Sequence, residues 1–359
     1  MNLYVTADKI GMPTGGGIVT HHESEALKSL GPSEIWDWDK LLYGAPQIMK
    51  EPWCWDAMGE MQLEFMKHPK YKLAHFYAGT FGNTVKKLKE QGCKIVYTIA
   101  AHDKEISRRE HEKLGWPFPY PHLTEEALWQ RYIEGYHLAD VIVCPSTIAA
   151  SIVRNYGPEF RDKRIEVISH GITLPGSVGT LPSRFTVGYL GAIGADKGLT
   201  YLIQAWGKLD YSDATLVIAG RDSTHPWVID QVHKYVKRPW TVDLRGWVNN
   251  VSDFYNSLSL YVQPSATEGF GIEVLEALAY GRPVVCSHGA GAQDILQDAS
   301  PGLLVRACDV NALAGAIDNY RCNSTALVFG ASHAREVAQE CTWDKIRQRY
   351  VDLWKEVLR

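Results

Sequence analysis

At 359 residues, with 45% hydrophobic and 22% charged content, the chain has the composition of a folded globular protein and the length for two domains of ordinary size. A formal net charge of −4 gives no electrostatic reason to expect nucleic acid or another polyanion as a partner. Seven scattered cysteines, an odd count with no CxxC, argue for reduced thiols in a cytoplasmic protein over a disulfide framework, and no apolar run approaches the ~20 residues of a membrane span.

In chain order, MNLYVTADKI opens on a short strand, Leu3–Thr6, without the basic start and apolar core of a signal peptide. Gly15-Gly16-Gly17 precedes a helix over about 18–30. Residues 33–72 read as irregular and Trp-rich (Trp36, Trp38, Trp53, Trp55). Leu73–Tyr77 and Lys94–Thr98 read as buried strands around a helix over 81–91. Residues 103–123, polar and then Pro-rich, predict a long loop or lid, although AHDKEISRREHE also suits a solvated helix face. Helix 124–138, strand Asp140–Cys144, helix 147–156 and strand Ile165–Ile168 follow. LPGSVGTLPS (174–183) lacks periodicity and predicts a linker. Beyond it the alternation restarts: strand 185–190, helix 198–208, strand 214–219, helix 226–236, strand 240–244, helix 251–257, and later strand 303–305 and helix 310–319. A last helix, about 343–358, carries an apolar stripe of Trp343, Ile346, Tyr350, Leu353, Trp354 and Leu358. Strands alternating with helices imply parallel sheets covered on both faces.

The segment LYVQPSATEGFGIEVLEALAYGRPVVCSH (260–288) is the most specific. An apolar strand ends at Gln263-Pro264-Ser265, Glu268 lies in the loop, and Gly269-Phe270-Gly271 leads into a helix from Ile272 that stops at Gly281-Arg282-Pro283. Glycines before a helix let its unpaired amides approach a phosphate. Glu268 and Glu276 add two carboxylates able to grip a polyhydroxylated ligand.

This segment resembles the signature of the family 4 (group 1) retaining glycosyltransferases of the GT-B fold. Their pattern is Pro-Ser, a spacer, Glu-Gly-Phe-Gly, a second glutamate after seven intervening residues, and Gly-x-Pro-Val. The resemblance implies an α/β protein of two doubly wound, Rossmann-like domains facing across a cleft, with the last helix crossing back to the N-terminal domain. The expected boundaries are 1–175 with 343–359 for the acceptor domain and 184–342 for the donor domain. VGYLGAIGADKGLTYLIQAW (187–206) resembles the family's strand, glycine and Lys-Gly helix start. It implies that Lys197 meets the charge growing on a departing diphosphate. Glu276 is implied as the ribose ligand, and Glu268 as a catalytic neighbour of the sugar and phosphates. Gly269, Phe270, Gly271 and Ile272 are implied to hold the distal phosphate or sugar hydroxyls through their backbone. Ala192 stands where many members have Arg; Arg221 and Arg245 are the candidate replacements. Arg245, Gly246 and Trp247 occupy the place where the family frames the base, and Trp247 is equally readable as core. In the N-terminal half, Gly16 and Gly17 resemble the family's glycine loop before the first helix, and IAAHDKE (99–105) resembles its His-Asp strand end. His102 would sit over the transferring sugar, and Asp103 would orient it or touch the acceptor. HLADVIVCPS (137–146) is a structural landmark; His170 and Asp294 replace the family's usual Asn and Glu.

The implied reaction moves a hexose-type sugar from a nucleotide-diphosphate sugar, UDP- or GDP-linked, to an acceptor hydroxyl. It proceeds with retention and needs no metal or other cofactor. No HExxH and no metal-spaced Cys or His set is present in the sequence; Asp37-Trp38-Asp39 is an Asp-x-Asp set among packing residues. Cleft closure about the linker would exclude water. A glycan, a lipid-linked glycan, a metabolite and, least favoured, a modified nucleic-acid base all fit as acceptor, with 33–72 and 103–123 lining its side. The competing readings are a non-catalytic nucleotide-sugar-binding subunit, another GT-B enzyme such as an epimerase or phosphorylase, and a Rossmann dehydrogenase. The last is disfavoured because Gly191-Ala192-Ile193-Gly194 is not GxGxxG.

Overall fold

The computed structural model describes residues 1–6, 10, 12, 15–37, 40, 59, 70–77, 81–99, 101, 103–116, 126–296 and 302–359. The chain forms two compact units: Met1–Ala101, Pro119–His170 and Trp343–Arg359 make the first, His102–Phe118 and Gly171–Thr342 the second.

The first unit contains β1 (Asn2–Thr6), α1 (Gly15–Lys28), β2 (Ser33–Trp36), β3 (Leu73–Tyr77), α2 (Gly82–Glu90) and β4 (Lys94–Thr98). The helix α3 (Lys104–Leu114) belongs to the second unit, after which the first resumes with α4 (Glu126–Leu138), β5 (Val141–Cys144), α5 (Thr147–Arg154) and β6 (Ile165–Val167). Its sheet runs β2-β1-β3-β4-β5-β6, all parallel, with Asn2 opposite Leu73 and Thr6 opposite Tyr77. β1, β3 and β5 are buried along their whole length, as parallel strands covered on both faces must be.

The second unit continues with β7 (Thr186–Leu190), α6 (Leu199–Leu209), β8 (Thr215–Ala219), α7 (Pro226–Tyr235), β9 (Val242–Gly246), α8 (Val251–Asn256), β10 (Leu260–Gln263), α9 (Ile272–Ala279), β11 (Val284–Ser287), β12 (Gly302–Val305), α10 (Val310–Cys322) and α11 (Ser324–Glu340). Its parallel sheet is ordered β12-β11-β10-β7-β8-β9. One face buries Val187, Leu202, Trp206 and Ile218; the other buries Val217, Tyr255, Tyr261 and Leu278. The final helix, α12 (Trp343–Val357), packs on α1 within the first unit, so the expected return of the C-terminal helix holds.

Several expectations are corrected. Residues 104–114 are a helix, α3, as the mixed charge run suited, and not part of a long loop or lid. Asp103 caps it by accepting the Ile106 amide at 2.9 Å, and Gly115 ends it in the left-handed region at φ 65°. Arg108 pairs with Glu105 and Glu112 on its exposed side. Gly15, Gly16 and Gly17 lie within the first turn of α1 and not in a loop before it. The helix α11 was not anticipated; Asn323 separates it from α10 by accepting the Ala326 amide at 3.0 Å. The 174–183 segment is hydrogen-bonded to the second unit. Buried Arg282 donates to the Gly179 carbonyl at 2.6 Å, Asn256 accepts the Gly179 amide at 2.8 Å, and Arg335 donates to the Pro175 carbonyl at 3.2 Å. Of the Trp-rich stretch, Trp36 is described and buried at the end of β2; Trp38, Trp53 and Trp55 lie outside the described residues, as does 117–123 of the Pro-rich stretch.

The first unit also buries a polar network. Glu23 of α1 accepts hydroxyls from Tyr4 and, at 3.0 Å, Thr98. Trp354 of α12 donates its indole N–H to His75 Nδ1 at 3.0 Å, which puts the ring proton on Nε2, 2.9 Å from Thr98 Oγ1. Burial pushes the Glu23 carboxyl up to about 7, against the opposing pull of hydroxyls from Tyr350, Tyr4 and Thr98. Burial pushes His75 down to about 3. Among the described residues no helix is long and apolar enough to cross a membrane.

Candidate active site

The order of the second sheet reverses between β7 and β10: β8 and β9 extend one way, β11 and β12 the other. The loops after β7 and β10 therefore diverge over a crevice at the carboxyl edge, where ligands of open α/β sheets bind. The two loops are held together by backbone. Asp196 accepts the Ala266 amide at 2.8 Å and the Thr267 amide at 3.3 Å on its carbonyl. Gly198, at φ 71°, starts α6 so close to the other loop that a Cβ there would lie 2.0 Å from the Pro264 carbonyl oxygen. A third loop, after β11, braces the second: the Glu268 amide donates to the Gly289 carbonyl at 2.8 Å, and the Ala292 amide to the Phe270 carbonyl at 2.7 Å.

This frame brings Lys197 and Glu268, 71 positions apart, into an ion pair. Burial alone would lower the Lys197 ammonium, but Glu268 and then Asp196 outweigh it and hold the amine well above its ordinary range, fully charged. Gly271, at φ 93°, precedes α9 and provides no side-chain cap. In the first turn of α9 the Val274 amide donates to the Gly271 carbonyl at 3.1 Å and the Glu273 carboxylate accepts a backbone amide, while the turn carries the positive end of the helix dipole. Glu276, one turn further, accepts the buried Tyr255 hydroxyl at 2.7 Å, and Tyr255 stacks on Tyr280 with ring centroids 5.4 Å apart. Burial raises the Glu276 carboxyl, and the Tyr255 hydroxyl pulls the other way. Glu273, which the sequence reading passed over, lies between the two expected glutamates; burial, then the charges of Glu268 and Glu276, push it up to about 7. One charged amine, a helix start and three carboxylates thus share the crevice. Such a set can bind an anion at one end and hydroxyl groups at the other.

The remaining expected residues are placed as follows. Arg221 is exposed in the loop after β8, and its carbonyl accepts the Ile193 amide at 3.2 Å, so that loop abuts the β7 loop beside Ala192. Arg245 is exposed at the edge strand β9 and pairs with Asp243 at 2.8 Å, two strands away from the reversal point. Gly246 has φ 68° and accepts the Gly220 amide at 2.7 Å. Trp247 is 57% exposed, which removes the core reading. Gly16 and Gly17 are backbone of α1 in the first unit. Asp103 spends its carboxylate on the α3 cap, and groups with the second unit rather than with the N-terminal sheet. His102 lies outside the described residues. Besides Glu273, the reading missed Asp196 and Tyr255; a strand-end loop and a Tyr on a short helix carry no local mark of a site.

Two parallel six-stranded sheets, each covered by helices, are the architecture called the GT-B fold. Residues 184–322 match the family model described as glycosyl transferases group 1. An uncharacterized glycosyltransferase of Methanocaldococcus jannaschii is 25% identical over 73% of this chain and 70% of its own length. Among solved structures, the sucrose-phosphate synthase of Thermosynechococcus elongatus superposes with a TM-score of 0.75 at 18% identity, covering 99% of this chain and 98% of that one. HepE of Anabaena, solved in complex with UDP and glucose, gives a TM-score of 0.66 at 17% identity over 99% of this chain and 100% of its own. Residues 184–322 are thus similar to the group 1 glycosyltransferases, and the whole chain has the two-sheet fold of these solved structures.

Proposed function

We propose that this protein is a retaining hexosyltransferase of family 4 that uses a UDP- or GDP-sugar, needs no metal, and works in the cytoplasm. The observation that carries the reading is the Lys197–Glu268 pair beside the N-terminal turn of α9, at the reversal point of the second sheet. The donor diphosphate displaces part of that pairing: its oxygens take Lys197 and the α9 amides, while Glu276 accepts ribose hydroxyls. Arg221, exposed on the neighbouring loop, adds the cation that Ala192 lacks. HepE, with UDP in its solved complex, supports a nucleotide diphosphate at such a site.

In the reaction the bond from the anomeric carbon to the diphosphate breaks, and a bond to the acceptor oxygen forms on the same face. The acceptor proton passes to the leaving phosphate. Lys197 and the helix amides stabilise the charge that accumulates there, which is worth most in a site already ordered before the reaction. His102 positions the sugar. The acceptor is a hydroxyl of a glycan, a lipid-linked glycan or a metabolite.

The test is a thermal-shift panel with UDP, GDP, ADP, CDP and TDP, in EDTA. A ligand that binds only the folded chain raises the melting temperature, by about 2.7 kcal/mol of stabilisation at a hundredfold excess over Kd. One diphosphate is expected to shift it without metal. No shift with any, from a folded sample, would overturn the reading; a shift restored only by a divalent cation would overturn the metal-free part.

A further inference from the structure

The helix α3 follows β4 of the N-terminal sheet in sequence, yet it packs against the turn Ala195–Lys197 of the second unit. Most of its side chains are charged and outward, but Ser107, Glu110 and His111 are buried. Ser107 Oγ donates to Asp196 Oδ2 at 3.3 Å, and Asp196 is 3% exposed. Glu110 accepts the Tyr201 hydroxyl of α6, and Lys113 donates to the same hydroxyl oxygen at 2.8 Å. Lys113 and Arg109 lie 3.8 Å and 3.7 Å from the Glu110 carboxylate, so this buried charge is compensated. At the far end, Trp116 packs edge-on against His225 and Trp227, with centroids 5.0 Å and 4.8 Å apart. The segment is thus anchored along its length, and its first anchor is the residue beside Lys197.

Asp196 has two tasks that bear on the crevice. Its carbonyl holds the amides of Ala266 and Thr267, which sets the height of the loop that carries Glu268. Its carboxylate adds to the field that keeps Lys197 charged. A carboxylate this buried is costly unless it is hydrogen-bonded, and Ser107 supplies a bond from outside the two loops. We propose that Ser107 and Glu110 of α3 are positioning residues for the diphosphate site, buttressing the Asp196–Lys197 turn so that the Lys197 amine and the Glu268 loop stay in register. This rests on the donor reading above for the ligand, though not for the buttress itself.

Two measurements on the full-length protein separate the two. Hydrogen exchange followed by mass spectrometry reads the amides of 194–198 and 265–268 without any ligand. Ser107→Ala should speed their exchange about tenfold, the expected result of losing one hydrogen bond to a charged group, and Ser107→Thr, which keeps a hydroxyl, should restore protection. Affinity for UDP (or GDP, if the diphosphate panel selects it) should fall about tenfold in Ser107→Ala and Glu110→Gln. Affinity for the matching monophosphate should stay at the wild-type value, a contrast that a general loss of stability would not produce. Unchanged exchange in Ser107→Ala overturns the buttress. Faster exchange with unchanged diphosphate affinity overturns the positioning role. If wild type binds no diphosphate, the donor reading fails on its own, and the exchange result alone decides whether α3 supports the turn.

Discussion

Replacing Glu23 by Gln gives a sharp test of the buried network that ties α12 to α1 and the first sheet. The Glu23 carboxyl titrates near 7 in the folded chain against 4.5 for a free glutamate. Between those values the folded state keeps a proton that the unfolded chain has released, so this group's contribution to stability falls as pH rises from 4.5 to 7. A difference of about 2.5, at about 1.4 kcal/mol each, amounts to about 3 kcal/mol. His75 opposes it: its ring titrates near 3 rather than 6.5, so its own contribution rises with pH between those values. The wild-type profile therefore conceals both, and the informative quantity is the difference between variant and wild type. Gln accepts the same hydroxyls through one oxygen, at a cost that does not vary with pH. Glu23→Gln should gain about 3 kcal/mol relative to wild type on going from pH 4.5 to pH 8, read by urea melts of both proteins at four pH values. A flat difference across that range would refute the claim that burial holds the Glu23 carboxyl protonated up to about 7. It would mean instead that water or a compensating cation reaches the carboxylate.

Other outcomes follow from the site. Lys197→Ala should lower turnover at least about a hundredfold, about 2.7 kcal/mol of barrier, while shifting the melting temperature little; full activity would assign the diphosphate to another cation. Glu276→Ala should weaken nucleotide binding about tenfold or more, as calorimetry would show, and unchanged affinity would end its ribose role. Gly198→Ala should destabilise the protein by at least about 2 kcal/mol, because φ 71° and a Cβ 2.0 Å from the Pro264 oxygen leave no room for a methyl group; an unaltered melting curve would mean the loops are not clamped as described. His102→Ala should cut sugar transfer and leave nucleotide affinity within about twofold, as a sugar contact requires.

The local pattern of this chain was enough for its alternation of strands and helices. β3 and β4 fall where the apolar runs Leu73–Tyr77 and Lys94–Thr98 lie, because parallel strands covered on both faces are read as unbroken apolar segments. The glycines and glutamates from Glu268 to Glu276 stand out for a similarly local reason. On the donor reading proposed above, a loop that passes close to a phosphate needs glycine there, and that demand is written within a few residues. The polar segment of α3 reads as loop or as a solvated helix face because its charges mask a narrow buried face of Ser107, Glu110 and His111, which exists only where Asp196 and Tyr201 receive it. Trp206 and Trp354 are core while Trp240 is 75% and Trp247 57% exposed, with nothing in their immediate neighbours to separate them. The same holds for Glu273, Glu23 and Lys197. Whether a charged side chain is buried, and which way its pKa moves, depends on groups brought to it from across the fold. Lys197 meets Glu268 from 71 positions away and Glu23 meets Thr98 from 75. Periodicity reports only which face of an element is apolar; partners that desolvate or neutralise a charge are chosen by sheet order and loop approach, and these exist only once the chain has folded.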